Sequence, residues 1–405
     1  MSPTPAWSRS RSPGLSGAAG AASPIMLKFV ESPGLPRGFS YRPEAGDRVA
    51  IRPLGLMSGA AGAEAGRGGM ARRLAGGHIF FNACEVFVEH AGTVGHSVAS
   101  LVEVEEWAAR EDGGLGRAVG ATLDRLTGPR AAFAGLALDR ARVMGIVNVT
   151  SDSFHDGGRH ADADAAVAHG AALIEAGADI IDVGGESTRP GSDETPEDVE
   201  IARVLPVIRA LADRGAVLSI DTRRAGVMRA ATEAGARVIN DVTALGGDPD
   251  ALAVAAGAGV SVILMHMQGR PRTMQHQPSY GHAPYEVWRY LSDRAAACVE
   301  AGIPVERIAI DPGIGFGKDD THNLRILSSA AMLHGVGAAV AIGASRKSFI
   351  GRIFEDVLAE ERLPGSLAAA MIAVGQGVQL IRVHDVAATR QALAVAKGGL
   401  AEAGP

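Results

Sequence analysis

Residues Val340 to Gly351 read VAIGASRKSFIG, an apolar run that stops abruptly at Ser345, Arg346 and Lys347. Small and β-branched residues running into a charged end describe a buried parallel strand that carries its tip to a site. Two adjacent cations at such a tip call for an anion. The same pattern recurs along the chain with different polar tips. That makes this stretch one of eight loops around the mouth of a barrel, and an enzyme is the leading expectation.

From Ala131 onward, short β-branched runs alternate with longer Ala-rich segments of helical period, the signature of repeated βα units. The strand candidates are Arg142 to Val149, Ala178 to Val183, Ala216 to Ile220, Arg237 to Asn240, Ser261 to Met265, Ile308 to Ile310, Ala338 to Ile342 and Val378 to Val383. Between them, Asp162 to Ala176, Pro196 to Arg214, Gly226 to Ala234, Asp250 to Ala258 and Tyr285 to Ala301 have the length and composition of outer helices. Turns such as Glu175-Ala176-Gly177-Ala178 and Glu233-Ala234-Gly235-Ala236 supply a glycine C-cap before the next strand. Residues 131–405 therefore read as a (β/α)8 barrel of the usual size, about 250 residues. A doubly wound open sheet competes. The barrel is preferred because the units follow in unbroken series and no Gly-rich dinucleotide fingerprint follows the first strand.

Residues 47–130 read as a small αβ extension, with His78 to Glu89 a strand and Ser97 to Arg110 and Leu115 to Leu126 helices; no catalytic motif stands out there. Residues 1–46 read as a disordered, low-complexity tail. The first 24 are rich in Ser, Pro, Ala and Gly, carry Arg9 and Arg11 but no acidic residue, and lack the hydrophobic core of a secretory signal. Met26 opens a more ordinary segment, as a later start would.

A formal net charge of -6, a pI near 6.1 and 4% aromatic residues give neither a field to draw nucleic acid nor rings to stack on bases. The two cysteines, Cys84 and Cys298, have no partner at metal or redox spacing, which fits a reducing cytosol. The longest apolar stretch, Leu367 to Ile381, is interrupted by Gln376 and Gln379 and is too short and polar to span a bilayer.

Side chains at the C-terminal ends of barrel strands converge on one mouth, where polar groups are costly unless they meet a ligand. Asn148 ends strand one and opens NVTSDSFHDGG, with Asp152, His155 and Asp156 in a loop that reads equally as a solvated turn. Strand two leads into GGESTRPG, with Thr188 and Arg189, suited to an anionic or flexible substrate or to a surface turn. Strand three ends in Asp221-Thr222-Arg223-Arg224 and strand four in Asn240-Asp241. Each carboxylate alone can cap the following helix; together they offer a row of acceptors and an amide to a nitrogen heterocycle. Strand five delivers Met265, His266 and Met267, of which the last two read as packed core. Strand six gives DPGIGFGK, with Asp311 a further acceptor, glycines that admit a close backbone approach, and Phe316 an apolar wall. Strand eight ends in Arg382, Val383 and His384, whose alternation turns Arg382 and His384 the same way. Together with Lys347 they occupy the loops after strands seven and eight, where barrels commonly bind phosphate. Acceptors for a polar ring on one side and cations on the other suit cleavage of a phosphate ester or diphosphate attached to a heterocycle.

NVTSDSFHDGG, GGESTRPG, DTRR, IND, DPGIGFGK, GASRKSFIG and RVHDV, in this order over about residues 142 to 390, resemble the dihydropteroate synthase family of the folate pathway. One departure lies in the first loop, where Ser151 and His155 stand in places the family usually fills with proline and serine. The resemblance implies a magnesium-assisted condensation of 6-hydroxymethyl-7,8-dihydropterin diphosphate with p-aminobenzoate, giving 7,8-dihydropteroate and pyrophosphate. It implies a cytoplasmic sulfonamide target working as a homodimer, for which Leu367 to Val374 and Val386 to Ala396 are the apolar surfaces to inspect. It further implies that Asp221, Asn240 and Asp311 hydrogen-bond the pterin, with Lys347 reaching its ring and Met265 lining the pocket. Asn148 ligates magnesium, and Arg382 and His384 hold the diphosphate. Thr188, Arg189, Phe316 and Ser345 shape the p-aminobenzoate subsite, and Asp152 helps order it. Lys347, Asp221, Arg382 and Asp152 are the catalytic set. Two alternatives share the fold: a pterin-binding methyltransferase barrel, which needs no diphosphate site, and a non-catalytic pterin-binding paralogue.

Overall fold

The computed structural model describes residues 27–31, 47–110, 114–149, 159–186, 194–269 and 273–400. Six strands come before the barrel: β1 Lys28–Glu31, β2 Arg48–Leu54, β3 Arg72–Arg73, β4 Phe80–Phe81, β5 Ala83–His90 and β6 Thr93–Ser100. Three helices accompany them: α1 Gly59–Arg67, α2 Leu101–Arg110 and α3 Gly114–Thr127. The barrel strands are β7 Arg142–Asn148, β8 Ile180–Gly184, β9 Leu218–Asp221, β10 Val238–Asp241, β11 Ser261–Met265, β12 Ile308–Asp311, β13 Ala339–Ile342 and β14 Leu380–Val383. Around them lie α4 Arg159–Glu175, α5 Glu197–Ala212, α6 Ala225–Glu233, α7 Ala251–Ala258, α8 Ala283–Glu300, α9 Asp320–Ser328, α10 Ser348–Ile353, α11 Leu363–Gly375 and α12 Val386–Leu400.

The eight barrel strands pair in parallel in chain order, and β14 closes on β7 with Leu380 opposite Arg142. That pairing excludes the open sheet. Gly177 (φ +93°) and Gly235 (φ +117°) end their helices in the left-handed region, as the turn sequences require.

One inward stripe of side chains explains how the site arises. Ile180, Val238, Ile263, Ala309, Ala341 and Leu380 pack with Met144 into one buried cluster, which Phe133 joins. Two residues further along, the same faces carry Asp182, Asn240, Met265, Asp311, Gly343 and Arg382, because side chains on a strand repeat with period two. The barrel is thus apolar below and polar at its C-terminal mouth.

The N-terminal strands form a sheet in the order β1-β6-β5-β2. Ser97 to Ser100, expected as the start of a helix, instead complete β6 opposite Val86 to Ala83. The helix starts at Leu101 because Ser100 Oγ accepts from Glu103 N while Glu103 Oε2 accepts from Ser100 N at 2.9 Å, a reciprocal cap. The expected strand His78 to Glu89 is split into β4 and β5, with Asn82 N turned to Leu54 O between them. Within the span read as a tail, Lys28–Glu31 pair in parallel with β6. This unit is stapled to the segment before β13. Arg125 Nε donates to Gly335 O at 2.7 Å, and Arg130 donates to Ala338 O, His334 O, Arg125 O and Gly128 O. No helix among the described residues is long and apolar enough to cross a membrane.

Candidate active site

At the mouth, Asp221, Asn240, Met265, Asp311, Phe316, Lys347 and Arg382, all singled out from the sequence, line one pocket with Val242, Ile314 and the backbone of Gly313 and Gly343. Arg382 is its electrostatic centre. Its Nε donates to Asp182 Oδ2 at 2.6 Å and its Nη2 to Asp221 Oδ2 at 2.7 Å. Asn240 Nδ2 donates to the same Asp182 oxygen at 3.1 Å, so one buried carboxylate orients both a cation and an amide. Burial works against the charge on Arg382, but Asp182 and Asp221 outweigh it and raise its pKa. Burial pushes Asp221 up to about 7 against the pull of Arg382, with Asp182 adding repulsion. Asp311 is raised by burial too, although its Oδ1 accepts from Gly313 N at 2.7 Å.

Lys347 reaches across from the loop after β13, its Nζ 4.0 Å from the centroid of the Phe316 ring. Burial and the neighbouring Arg382 lower its pKa to about 8. The turn that presents it is fixed on both sides. Arg346 lies in the left-handed region (φ +56°), where a non-glycine residue is strained; its guanidinium pairs with Asp385, and its N–H donates to Ser366 Oγ at 2.8 Å.

Ser345 and His384 form a separate pair. Ser345 Oγ accepts from His384 N at 3.2 Å and lies 3.0 Å from His384 Nδ1. Burial and Arg382 lower the His384 pKa to about 4, so the ring is neutral. A neutral ring that accepts at Nδ1 carries its proton on Nε2, which makes Nε2 a donor. The Ser345 hydroxyl thus orients the histidine.

Asn148 stands exposed at the end of β7. A Cβ built on Gly184 would lie 3.6 Å from Asp221 Cβ and 3.7 Å from Asn148 Oδ1, so the glycine keeps the space between those side chains open. Among the described residues, no three His, Cys, Asp or Glu side chains converge on a metal position. A single amide oxygen fits a hard cation that takes its other ligands from water and substrate phosphate, which is magnesium's habit. Asp152, Thr188 and Arg189 lie outside the described residues.

Several expectations at the tips resolve as structural roles. Asp241 accepts from Thr243 N at 2.7 Å and Leu245 N at 2.8 Å, fixing the turn after β10. Arg223 and Arg224 bind Glu186 at the foot of the second loop. His266 is buried, as read. Two residues that the sequence reading missed matter here. Asp182 lies in the middle of IIDVG, where a lone carboxylate in an apolar strand was the available signal. Lys318 is fully buried; its Nζ lies 2.9 Å from His266 Nδ1 and donates to Phe316 O at 2.9 Å. It therefore ties the glycine-rich loop to the tip of β11.

Residues 144–384 match the model of the pterin binding enzymes. The dihydropteroate synthase of Escherichia coli K12 is 48% identical over 266 residues, 65% of this chain and 94% of that protein. The dihydropteroate synthase of Xanthomonas albilineans, solved with 4-aminobenzoic acid, is 48% identical with a TM-score of 0.63, covering 67% of this chain and 97% of that one. Solved with 7,8-dihydropteroate, it matches at 46% identity and a TM-score of 0.60 over the same shares. The chain belongs to the pterin binding enzyme family. Within that family, these relatives are dihydropteroate synthases.

Proposed function

We infer that this protein is a dihydropteroate synthase, condensing 6-hydroxymethyl-7,8-dihydropterin diphosphate with p-aminobenzoate to give 7,8-dihydropteroate and pyrophosphate. The observation that carries the reading is the convergence of Asp221, Asn240 and Asp311 with Lys347 and Arg382 in a single pocket. Alternating acceptors and donors match a pterin edge, and the cations match a diphosphate. A methyl-transferring barrel has no use for the second half of that pocket.

In this reading, Asp221, Asn240 and Asp311 hydrogen-bond the pterin, Lys347 reaches its ring and Met265 packs on it. Asp182 fixes Arg382 from below while Arg382 and the Nε2–H of His384 face the diphosphate. The C–O bond to the methylene breaks with its electron pair leaving on diphosphate. The positive charge left behind is delocalised into the dihydropterin, where the Asp221 and Asp311 carboxylates stabilise it. The amine lone pair then forms the C–N bond, and the nitrogen loses a proton to solvent. Because the electrophile is already formed, no strong base is needed. Positioning and electrostatics provide the rate, and Phe316 helps to keep water from the cation. Thr188, Arg189, Asp152 and the Phe316 ring would shape the amine's subsite. Asn148 would hold magnesium, which supplies charge neutralisation at the departing diphosphate.

The two buried free cysteines support a cytoplasmic setting. A homodimer through α11 and α12 is supported by Ile372 and Val395, exposed at 46% and 75%. The deciding experiment is pyrophosphate release from the dihydropterin diphosphate with magnesium, with and without p-aminobenzoate. Release that requires both substrates is the expected result. Release without the amine would make the protein a hydrolase, and tight pterin binding with no release would leave a binding protein.

A further inference from the structure

A second cavity lies away from the mouth. It measures about 360 Å³ and lies at the opposite end of the barrel, beside Ala141 and Gln379, which immediately precede the first residues of β7 and β14. Its floor is apolar, formed by Leu74 and Ile79 of the N-terminal unit, Leu138 of the segment entering the barrel, and Val378. Leu74, Ile79 and Val378 are at most 5% exposed. The wall is one face of α12. Arg390, Leu393, Ala394 and Lys397 follow the i, i+3, i+4, i+7 spacing of a single helical stripe, with an apolar centre and a cation at each end.

The other charges at the cavity are already used. Asp139 accepts from Arg142, and Arg140 pairs with Asp179. Among the described residues, Arg390 and Lys397 have no ion pair or hydrogen bond. Arg390 lies across the turn into β8, where a Cβ on Gly177 would come within 3.1 Å of its Nε. On the N-terminal side the wall turns at Ala75, a non-glycine residue at φ +51° held by a 2.7 Å bond from its N–H to Leu126 O. A strained turn, an apolar floor and two solvent-exposed cations without a protein partner among the described residues form a concave site of the size that takes small molecules.

We propose that this cavity is a second ligand site, separate from the pterin pocket, for a small amphipathic anion. An aromatic or aliphatic body would rest between Leu74, Ile79, Leu138 and Leu393, and the anionic head would meet Arg390 and Lys397. Charge complementarity selects the anion, and the apolar floor selects its body. Because the floor and one wall come from residues 74–79, the site depends on the N-terminal unit as well as on the barrel.

The test is calorimetric titration of the full chain with 1-naphthoate, 1-naphthyl phosphate and the neutral 1-naphthalenemethanol, each with and without saturating 7,8-dihydropteroate. Expected is one equivalent of anion bound, with no competition from dihydropteroate and at least tenfold weaker binding of the alcohol. The preferred head group is read from the two anions. Arg390→Ala/Lys397→Ala should weaken anion binding at least tenfold while pyrophosphate release is kept, which also reports that the variant folds. Ala394→Phe should block the cavity. Displacement by dihydropteroate, binding indifferent to both variants, or no saturable binding would overturn the proposal. So would a change in oligomeric state of the double variant without ligand binding, which would assign this face to a second copy of the chain.

Discussion

Arg382 Nε lies 2.6 Å from Asp182 Oδ2 at the barrel mouth, and Asp182 is wholly buried. A guanidinium held by two carboxylates is fixed in place, and the residue lines the pocket. Asp182→Asn should leave a buried cation facing a neutral amide, with Asp221 as its one remaining carboxylate partner. The expected cost is on the order of 2 to 4 kcal/mol of stability. KM for the dihydropterin diphosphate should rise together with it. Chemical denaturation and steady-state kinetics on the same variant check both, and an unchanged KM would refute the orienting role.

Lys347 should behave in the opposite way. Its ammonium makes no hydrogen bond within the chain among those described; its contact is the Phe316 ring. Lys347→Ala should therefore lower kcat/KM by about 100-fold or more while stability holds or rises, since a desolvated charge is removed. With its pKa lowered to about 8, Lys347 loses its proton as pH rises through that value. The kcat/KM of the native protein for the dihydropterin diphosphate should fall across the same range, and the variant should lack that limb. Equal losses of activity and stability in Lys347→Ala would count against a role in binding.

The barrel was legible because its strands are mostly apolar and end in polar tips. All eight strand candidates overlap the observed strands, and the tips Asp221, Asn240, Asp311, Lys347 and Arg382 do converge. Asp182 escaped notice because it lies two residues before the end of β8, so reading only the last residue of each strand passes over it. The hydrogen bonds of Ser345 and Lys318 were illegible for a different reason. Their partners, His384 and His266, are 39 and 52 residues away, and no local pattern encodes such a contact. In the N-terminal unit, the sequence reads Ser97–Ser100 into the following helix, and only pairing with β5 places them in β6.

Arg130 joins that unit to the barrel through four backbone carbonyls, from Gly128 and Arg125 on one side and His334 and Ala338 on the other. Burial and Arg125 lower its pKa to about 10, so the guanidinium stays charged at neutral pH. Arg130→Met keeps the stem but removes every donor, which should cost about 2 to 3 kcal/mol. Arg130→Lys should rescue little, because a point donor cannot span four acceptors. Thermal unfolding of both variants tests this, with the lysine variant expected near the methionine one.

Lys318 gives the molecule a stability that depends on pH in a direction opposite to that of a lysine whose pKa is raised by an ion pair. Burial lowers its pKa from 10.5 to about 7, and burial and Lys318 hold His266 well below 6.5, so a neutral ring receives the lysine's hydrogen bond. Between about pH 7 and 10.5 the unfolded chain holds a proton on this amine that the folded chain has released. The unfolded state then binds more protons, and the folded state gains stability as pH rises through that window. Below pH 7 the full cost of the buried ammonium is present. The gain attributable to Lys318 should be on the order of a few kcal/mol. Lys318→Met removes the titrating group, so its stability curve should be flatter than the native one between pH 7 and 10. It also frees the loop that carries Phe316, so KM for p-aminobenzoate should rise even at the pH where both proteins are equally stable. Parallel stability curves for the two proteins would mean that the amine titrates in the folded state as it does in water, and that the clamp between the glycine-rich loop and His266 is not built as described.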